Sequence, residues 1–236
     1  MEARDKYAII VAAGKGVRME NSTPKQYLLL AGKPVLYYSI HSFYQAFEDI
    51  NIILVYATGD ENYVEQVLAY FPGKEIVTVR GGETRFHSVK SGLQEIKTAS
   101  VVFVHDGVRP LISSHLIHSC YNETIKEGTA VPCLPLKESI RRLEKEGNTS
   151  VDRHDFRTVQ TPQAFFSEII ITAFFSPYED SFTDEATVVE KAAYPVHLIE
   201  GEEQNIKITK PVDLWLAEQL LQENEKNYKG LAVNQK

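Results

Sequence analysis

Apolar and polar positions switch between two periods along this chain, and the switch recurs from the first residues through Leu134. Residues 7–12 (YAIIVA) are a short, nearly all-apolar run ending in Gly14-Lys15-Gly16, as expected of a strand buried on both faces of a parallel sheet. Pro34 opens a helix whose apolar face is Leu36, Ile40, Phe43 and Phe47. Residues 51–57 (NIILVYA) predict the next strand. Val64, Val67, Leu68 and Phe71 then mark a helix, and residues 75–79 a strand. Val89, Leu93 and Ile96 form another helical stripe, followed by a strand at residues 100–105 (SVVFVH) that ends at Asp106. Ser113 is placed to cap a helix carrying Leu116, Ile117, Cys120 and Tyr121, before a strand at residues 129–134. Such alternation calls for an α/β fold: a doubly wound, mainly parallel sheet with helices on both faces and ligands beyond the carboxyl ends of the strands.

The pattern breaks at residues 138–155 (ESIRRLEKEGNTSVDRHD), which are strongly polar with a turn centred on Glu146-Gly147-Asn148. The β-prone pieces Ser139-Ile140 and Thr149-Ser150-Val151 flank that turn, so an exposed hairpin arm is expected over about 137–156. An isolated two-stranded hairpin is marginal in water, and the arm should pack against a partner. Core patterning resumes at Phe156, with helices near 168–175 and from about Thr183, strands at 196–199 and 205–208, and a last helix at 211–223. Residues 224–236 have the composition of a frayed tail.

Composition adds limits. A chain of 236 residues that is 43% hydrophobic can bury one sizeable core, and the whole is read as a single domain, 1–236, with the arm as its appendage. No run of about 18 apolar residues is present to span a membrane, and the charged start does not look like a signal peptide. Two scattered cysteines make neither a disulfide framework nor a zinc site, so a reduced, cytoplasmic protein is expected. A formal charge of −7 argues against nucleic acid or an anionic membrane as partner. A polyanionic small ligand fits only where basic residues gather locally against that sign.

Three strand ends carry candidate chemistry. The first is Ala12-Ala13-Gly14-Lys15-Gly16-Val17-Arg18-Met19, followed by Pro24-Lys25-Gln26-Tyr27. A glycine turn after a buried strand lets backbone N–H groups approach phosphate oxygens, and Arg18 and Lys25 are two cations at its mouth. Met19 stands where a dinucleotide fingerprint needs Gly or Ala, and the Gly-Lys-Ser/Thr of a Walker A loop is absent. Two solvated basic residues on a loop are the bland alternative. The second strand end, Gly81-Gly82-Glu83-Thr84-Arg85-Phe86-His87-Ser88, is either a tight turn or a surface that reads the edge of a base. The third, His105-Asp106-Gly107-Val108-Arg109-Pro110, puts a carboxylate where it serves as a metal or hydroxyl ligand near phosphates, or merely as a loop cap. In a doubly wound sheet these ends converge on one crevice.

The ordered set AAGKGVRM, PKQYL, GGETRFHSV, VHDGVRP, VDR, VQTPQAF, TDEA and NIKIT covers nearly the whole chain and resembles the 2-C-methyl-D-erythritol 4-phosphate cytidylyltransferases. The resemblance implies a Rossmann-like fold of nucleotidyltransferase type, CTP and a sugar-alcohol phosphate as substrates, Mg²⁺ carried mainly by CTP, and a homodimer that exchanges its arms. It implies that Arg18 and Lys25 stabilise the transition state at the α-phosphorus, with Ala12, Ala13, Gly14 and Gly16 along the triphosphate and Gly82, Glu83 and Ser88 at cytosine. Asp106 and Arg109 would face the acceptor, with Thr161 nearby, and Asp106 is also the candidate to support the metal. Ser139 and Arg153 would reach into the partner's site, where Arg153 holds the acceptor phosphate, and Lys207 would return to the α-phosphate or the attacking group. The chain departs from the family pattern at Val11, Glu83, Gly107-Val108 and Ser139. An HDxVRP segment also occurs in ribitol 5-phosphate cytidylyltransferases, so ribitol phosphate stands as an alternative acceptor. A catalytically silent nucleotide-binding module is the alternative of another class.

Overall fold

Valine, isoleucine and phenylalanine crowd the central strands because both faces of the sheet are covered. The structure, a computed structural model, describes residues 4–14 and 23–233. In chain order its first elements are β1 (Asp5–Ala12), β2 (Leu29–Leu30), β3 (Lys33–Pro34), α1 (Val35–Ala46), β4 (Asn51–Tyr56), α2 (Glu61–Leu68) and β5 (Ile76–Arg80). Next come α3 (Arg85–Leu93), β6 (Ser100–Asp106), α4 (Ser114–Glu127), β7 (Thr129–Pro135), and the arm strands β8 (Arg141–Leu143) and β9 (Asn148–Ser150). The chain closes with β10 (Arg157–Val159), β11 (Gln163–Phe166), α5 (Ser167–Ala173), α6 (Glu185–Lys191), β12 (Leu198–Glu200) and α7 (Pro211–Val233).

The main sheet runs β10-β7-β11-β6-β1-β4-β5, with β12 on β7. β1 is parallel to β4 and β6, β4 to β5, and β12 to β7, whereas β11 is antiparallel to both β6 and β7. Side chains alternate strictly across it. Ala8, Ile10, Ile52, Leu54, Val101 and Phe103 pack under α1, α2 and α4, while Ile9, Ile53, Val55, Val102 and Val104 pack under α3, α5 and α6. Each such branched side chain, fully buried, contributes about 1.5–3 kcal/mol. β5 is the exposed edge and is the least apolar of the parallel strands. A smaller third cluster seats α7 on Leu30, Val35, Val108, Leu111 and Ile208.

Helix ends follow local chemistry. Ser113 caps α4 by accepting from the Leu116 amide, and Gly128 ends it in the left-handed region at φ +81°. Asp184 and Thr187 form a reciprocal capping box at the start of α6. Gly92 lets α3 lie close on β1, since a Cβ there would stand 2.8 Å from a methyl of Ile9.

Two expectations change. Residues 205–208 form no strand; the Asn205 and Ile206 amides turn back to the carbonyls of Glu202 and Gln204, and only the Ile208 amide meets a distant segment through the backbone, at the carbonyl of Val108 (2.9 Å). With Lys207 partly exposed and Thr209 turned to Asp213, the segment becomes a strap leading into α7. The last helix also continues past Glu223, to Val233, where a frayed tail was expected. The arm is a hairpin as its polarity suggested, β8 pairing with β9 about a turn in which Gly147 has φ +85°. No helix among the described residues is long and apolar enough to cross a membrane.

Candidate active site

The strand order reverses between β1 and β6, and that is where a crevice opens at the carboxyl ends of parallel strands. The register pairs Val11 with Asp106, and the Gly107 amide donates to the Val11 carbonyl at 2.9 Å. A cleft of about 770 Å³ lies there, lined by Ala12, Ala13 and Gly14 from the β1 end, Gly82, Glu83 and Ser88 beyond β5, and Asp106, Lys25 and Lys207. Its size suits a nucleotide. A second hollow, between Tyr27, Tyr63 and Tyr70, is mainly apolar and holds none of these residues.

Backbone approach is tight by design of sequence. A Cβ on Gly81 would collide with the Ala13 side chain, so the turn after β5 closes against the end of β1 only with glycine there. Ser88 is 2% exposed and lines the cleft, but its hydroxyl is occupied: it accepts from the Gly82 amide (3.2 Å) and donates to the Thr84 carbonyl (3.0 Å). Those two bonds hold the Gly82 turn in shape. Gln26, also buried, donates to the carbonyls of Ala12 (2.8 Å) and Gly14 (3.3 Å), tying the end of β1 to the 3₁₀ turn Lys25–Tyr27. The ammonium of Lys25 reaches the Ile208 carbonyl at 2.9 Å, next to Lys207.

Asp106 is the centre of the charge arrangement. Its Oδ1 accepts from Arg85 at 3.1 and 3.3 Å, and its Oδ2 lies 2.9 Å from the Lys207 ammonium and 3.6 Å from Arg109 Nε. Arg85 extends its other arm to Glu185, a fully buried carboxylate at the first turn of α6. Burial alone would raise the Asp106 pKa, but Arg85, Lys207 and Arg109 overcome it and hold the carboxyl well below the usual range. Glu185, with a single basic neighbour, goes the other way: burial raises it. Arg85, Arg109, Lys207 and Lys25 stand against three carboxylates, Asp106, Glu185 and the cleft-lining Glu83, and leave a positive surplus. The local gathering of cations demanded by an acidic chain with a polyanionic ligand is thus present.

The same geometry argues against Asp106 as a direct metal ligand. Both oxygens already face cations, and a divalent ion among three basic side chains would meet repulsion rather than a cage of oxygens. Among the described residues no three acidic, histidine or cysteine side chains cluster to hold an ion.

Arg109 and Thr161 lie behind Asp106 rather than on the cleft wall. Arg109 Nη1 donates to the Asn205 carbonyl at 2.7 Å, and the Thr161 hydroxyl accepts from the Asp106 amide at 3.1 Å. Ser139 and Arg153 sit in the exposed arm and do not line this chain's own cleft; Arg153 donates to the carbonyl of Lys137 at 2.6 Å. Arg18 and Gly16 lie outside the described residues. Sequence reasoning passed over Arg85, Glu185 and Gln26, although GGETRFHSV, TDEA and PKQYL contain them. The available signal was position: Arg85 and Glu185 each open a helix at the cleft end of the sheet, where an unexplained charge needs a partner.

Comparison with known proteins agrees with this geometry. The family model of 2-C-methyl-D-erythritol 4-phosphate cytidylyltransferase matches residues 7–223. The protein of that name from Azobacteroides pseudotrichonymphae is 43% identical over 221 residues, 92% of this chain and 99% of its own. Among solved structures, the 4-diphosphocytidyl-2C-methyl-D-erythritol synthase of Anaerococcus prevotii superposes with a TM-score of 0.80 at 29% identity, covering 93% of this chain and 96% of the other. The 2-C-methyl-D-erythritol 4-phosphate cytidylyltransferase of Thermus thermophilus gives 0.73 at 32% identity, covering 92% and 98%. With the glycine turns, the Asp106 cluster and the β1/β6 crevice in one order along the chain, these matches make it a member of the 2-C-methyl-D-erythritol 4-phosphate cytidylyltransferase family.

Proposed function

We infer that this chain transfers the cytidylyl group of CTP to 2-C-methyl-D-erythritol 4-phosphate, forming 4-diphosphocytidyl-2-C-methyl-D-erythritol and pyrophosphate, a step of non-mevalonate isoprenoid synthesis. The observation that carries this reading is the meeting of a backbone cradle, a glycine turn fit for a base, and surplus positive charge around Asp106 in one cleft.

The reaction is an in-line displacement. An oxygen of the acceptor phosphate forms a bond to the α-phosphorus of CTP, and the bond from that phosphorus to the bridging oxygen breaks, its electron pair leaving with pyrophosphate. Little covalent chemistry falls to the protein, so catalysis is positioning and charge stabilisation. Ala12, Ala13, Gly14 and Gly16 would follow the triphosphate, with Gly82 and Glu83 at the base. Lys25 and Arg18 would neutralise charge at the α-phosphorus. Lys207, held by Asp106 and next to the Lys25 contact, would serve both reacting phosphates. CTP would enter as its magnesium complex, the ion held by the triphosphate rather than by Asp106.

The acceptor side of the cleft is completed, on this reading, by the partner's arm in a homodimer. Exposed Leu143, Phe156 and Val159, on or beside the arm, are the apolar surface such an exchange would cover, and Arg153 with Ser139 would then face the acceptor phosphate. Two free, buried cysteines fit a cytoplasmic setting.

Pyrophosphate release from CTP and Mg²⁺ is the test, with 2-C-methyl-D-erythritol 4-phosphate and D-ribitol 5-phosphate supplied separately. Release with methylerythritol phosphate alone is expected. Release only with ribitol phosphate would move the acceptor, and CTP binding without release from either would leave a silent module.

A further inference from the structure

Arg109, Asn205, Thr161 and His105 form a closed hydrogen-bond circuit behind the cleft. Arg109 Nη1 donates to the Asn205 carbonyl (2.7 Å), Asn205 Nδ2 to the Thr161 carbonyl (2.9 Å), and His105 Nε2 contacts the Arg109 carbonyl (3.2 Å). The Thr161 hydroxyl contacts His105 Nδ1 at 3.2 Å and closes the ring. The direction of every bond is determined. A carbonyl cannot donate, so Nε2 carries the imidazole proton and Nδ1 accepts. The Thr161 hydroxyl already accepts the Asp106 amide, and its own hydrogen turns to Nδ1. His105 and Asn205 are fully buried, and burial holds the imidazole neutral by lowering its pKa to about 4.

The circuit joins the end of β6 and the loop after it, the corner at Thr161 just before β11, and the strap of residues 205–208, which belongs to no strand or helix. Lys207 lies on that strap, between Asn205 and the Ile208 amide bound to Val108. We propose that His105 and Asn205 are positioning residues for the cations around Asp106, fixing Arg109 behind that carboxylate and the strap that aims Lys207, on the cleft wall, at the reacting phosphates. Resting on the reading of this cleft as the site of cytidylyl transfer, this assigns the Thr161 hydroxyl to the circuit rather than to the acceptor. Ser39 supplies a second donor to the Arg109 carbonyl (3.3 Å), so losing the imidazole is felt chiefly at Thr161.

A displaced reacting group can lose on the order of 10² in rate. His105→Met and Asn205→Ala are each expected to lower kcat by about that factor while KM for CTP stays within about threefold, because the glycine cradle is untouched. His105→Asn, whose Oδ1 can accept from the Thr161 hydroxyl where Nδ1 stood, should recover about tenfold of the loss. Cutting one ring twice should cost little more than cutting it once, so the double variant should fall within about threefold of the worse single variant. Folded single variants, checked by circular dichroism, that keep kcat within about threefold would overturn the proposal, as would losses that multiply. Independently, a long-range proton–nitrogen NMR spectrum of the wild type should show the His105 proton on Nε2. A proton on Nδ1 would break the circuit as drawn, whether or not pyrophosphate is released and whether or not the variants fold.

Discussion

Asp106→Asn removes a charge without changing shape, and the cluster around it sets the cost. Asp106 is 6% exposed and faces Arg85, Lys207 and Arg109 at 3.1, 2.9 and 3.6 Å. Removing one member of a buried ion set costs about 3–5 kcal/mol, because the remaining charges are left uncompensated. Two facts place this case at the lower end. Lys207 is 40% exposed and can turn to water, so its share is screened. The asparagine carbonyl also keeps one hydrogen bond to Arg85, worth about 1 kcal/mol. A loss of about 3 kcal/mol is therefore expected. With an unfolding entropy of about 0.5 kcal/mol/K for 236 residues, Tm should fall by about 6 °C. Denaturant unfolding of the ligand-free protein, followed by far-UV circular dichroism, measures it; the single tryptophan, Trp215, is 62% exposed and a poor probe of this site. The pH dependence checks the cause. A carboxyl held below its unfolded pKa contributes fully above the ordinary carboxylate range, and the contribution disappears only as pH falls through the lowered folded value. The gap between wild type and variant should then be flat from about pH 5 to 8. Equal stabilities, or a gap that opens only as pH rises through that window, would refute the account of Asp106 as the charge organiser.

Lys25→Ala should lower kcat by about 10²–10³ with the far-UV spectrum unchanged, as for loss of one preorganised charge-stabilising group; near wild-type turnover would remove Lys25 from the transition state. For the arm, a mixed dimer with Arg153→Ala in one subunit and Lys25→Ala in the other should keep about half the activity, since exchange puts both lesions on one site and leaves the other whole. Loss of nearly all activity would argue that Arg153 serves its own chain. Burial puts the folded His105 pKa at about 4, below the unfolded value, so the unfolded chain binds the extra proton as pH falls through that interval. Wild type should lose about 2 kcal/mol more than His105→Gln between pH 7 and 5, and parallel stability curves would contradict a buried neutral imidazole.

Much of this molecule is written locally. The all-apolar runs at β1, β4 and β6 demand cover on both faces, Ser113 and Asp184 announce helix starts, and a polar stretch around Gly147 cannot be core. Each follows from a few neighbouring residues, and the glycine turns at residues 14 and 81–82 likewise mark strand ends from their own chemistry. The ordered motifs were enough to indicate the family. Local pattern misled where a segment's conformation was decided elsewhere. Residues 205–208 look like a strand, but they pair with none: the Asn205 and Ile206 amides turn back to Glu202 and Gln204, the Ile208 amide goes to Val108, and the Asn205 and Ile208 carbonyls go to Arg109 and Lys25. What only the tertiary structure decided was the company each charge keeps. From its place at a strand end Asp106 reads as a metal or hydroxyl ligand or a loop cap, and only the fold brings Arg85 from α3 and Lys207 from the strap against it, so that it anchors cations. Glu185 and His105 acquire their states in the same way, one from a single arginine in a buried pocket, the other from a ring of partners across three segments. Backbone conformation is set largely by near neighbours and solvent exclusion. Protonation and aim depend on distances of a few ångströms between residues far apart in sequence, and only the closed fold brings those residues together.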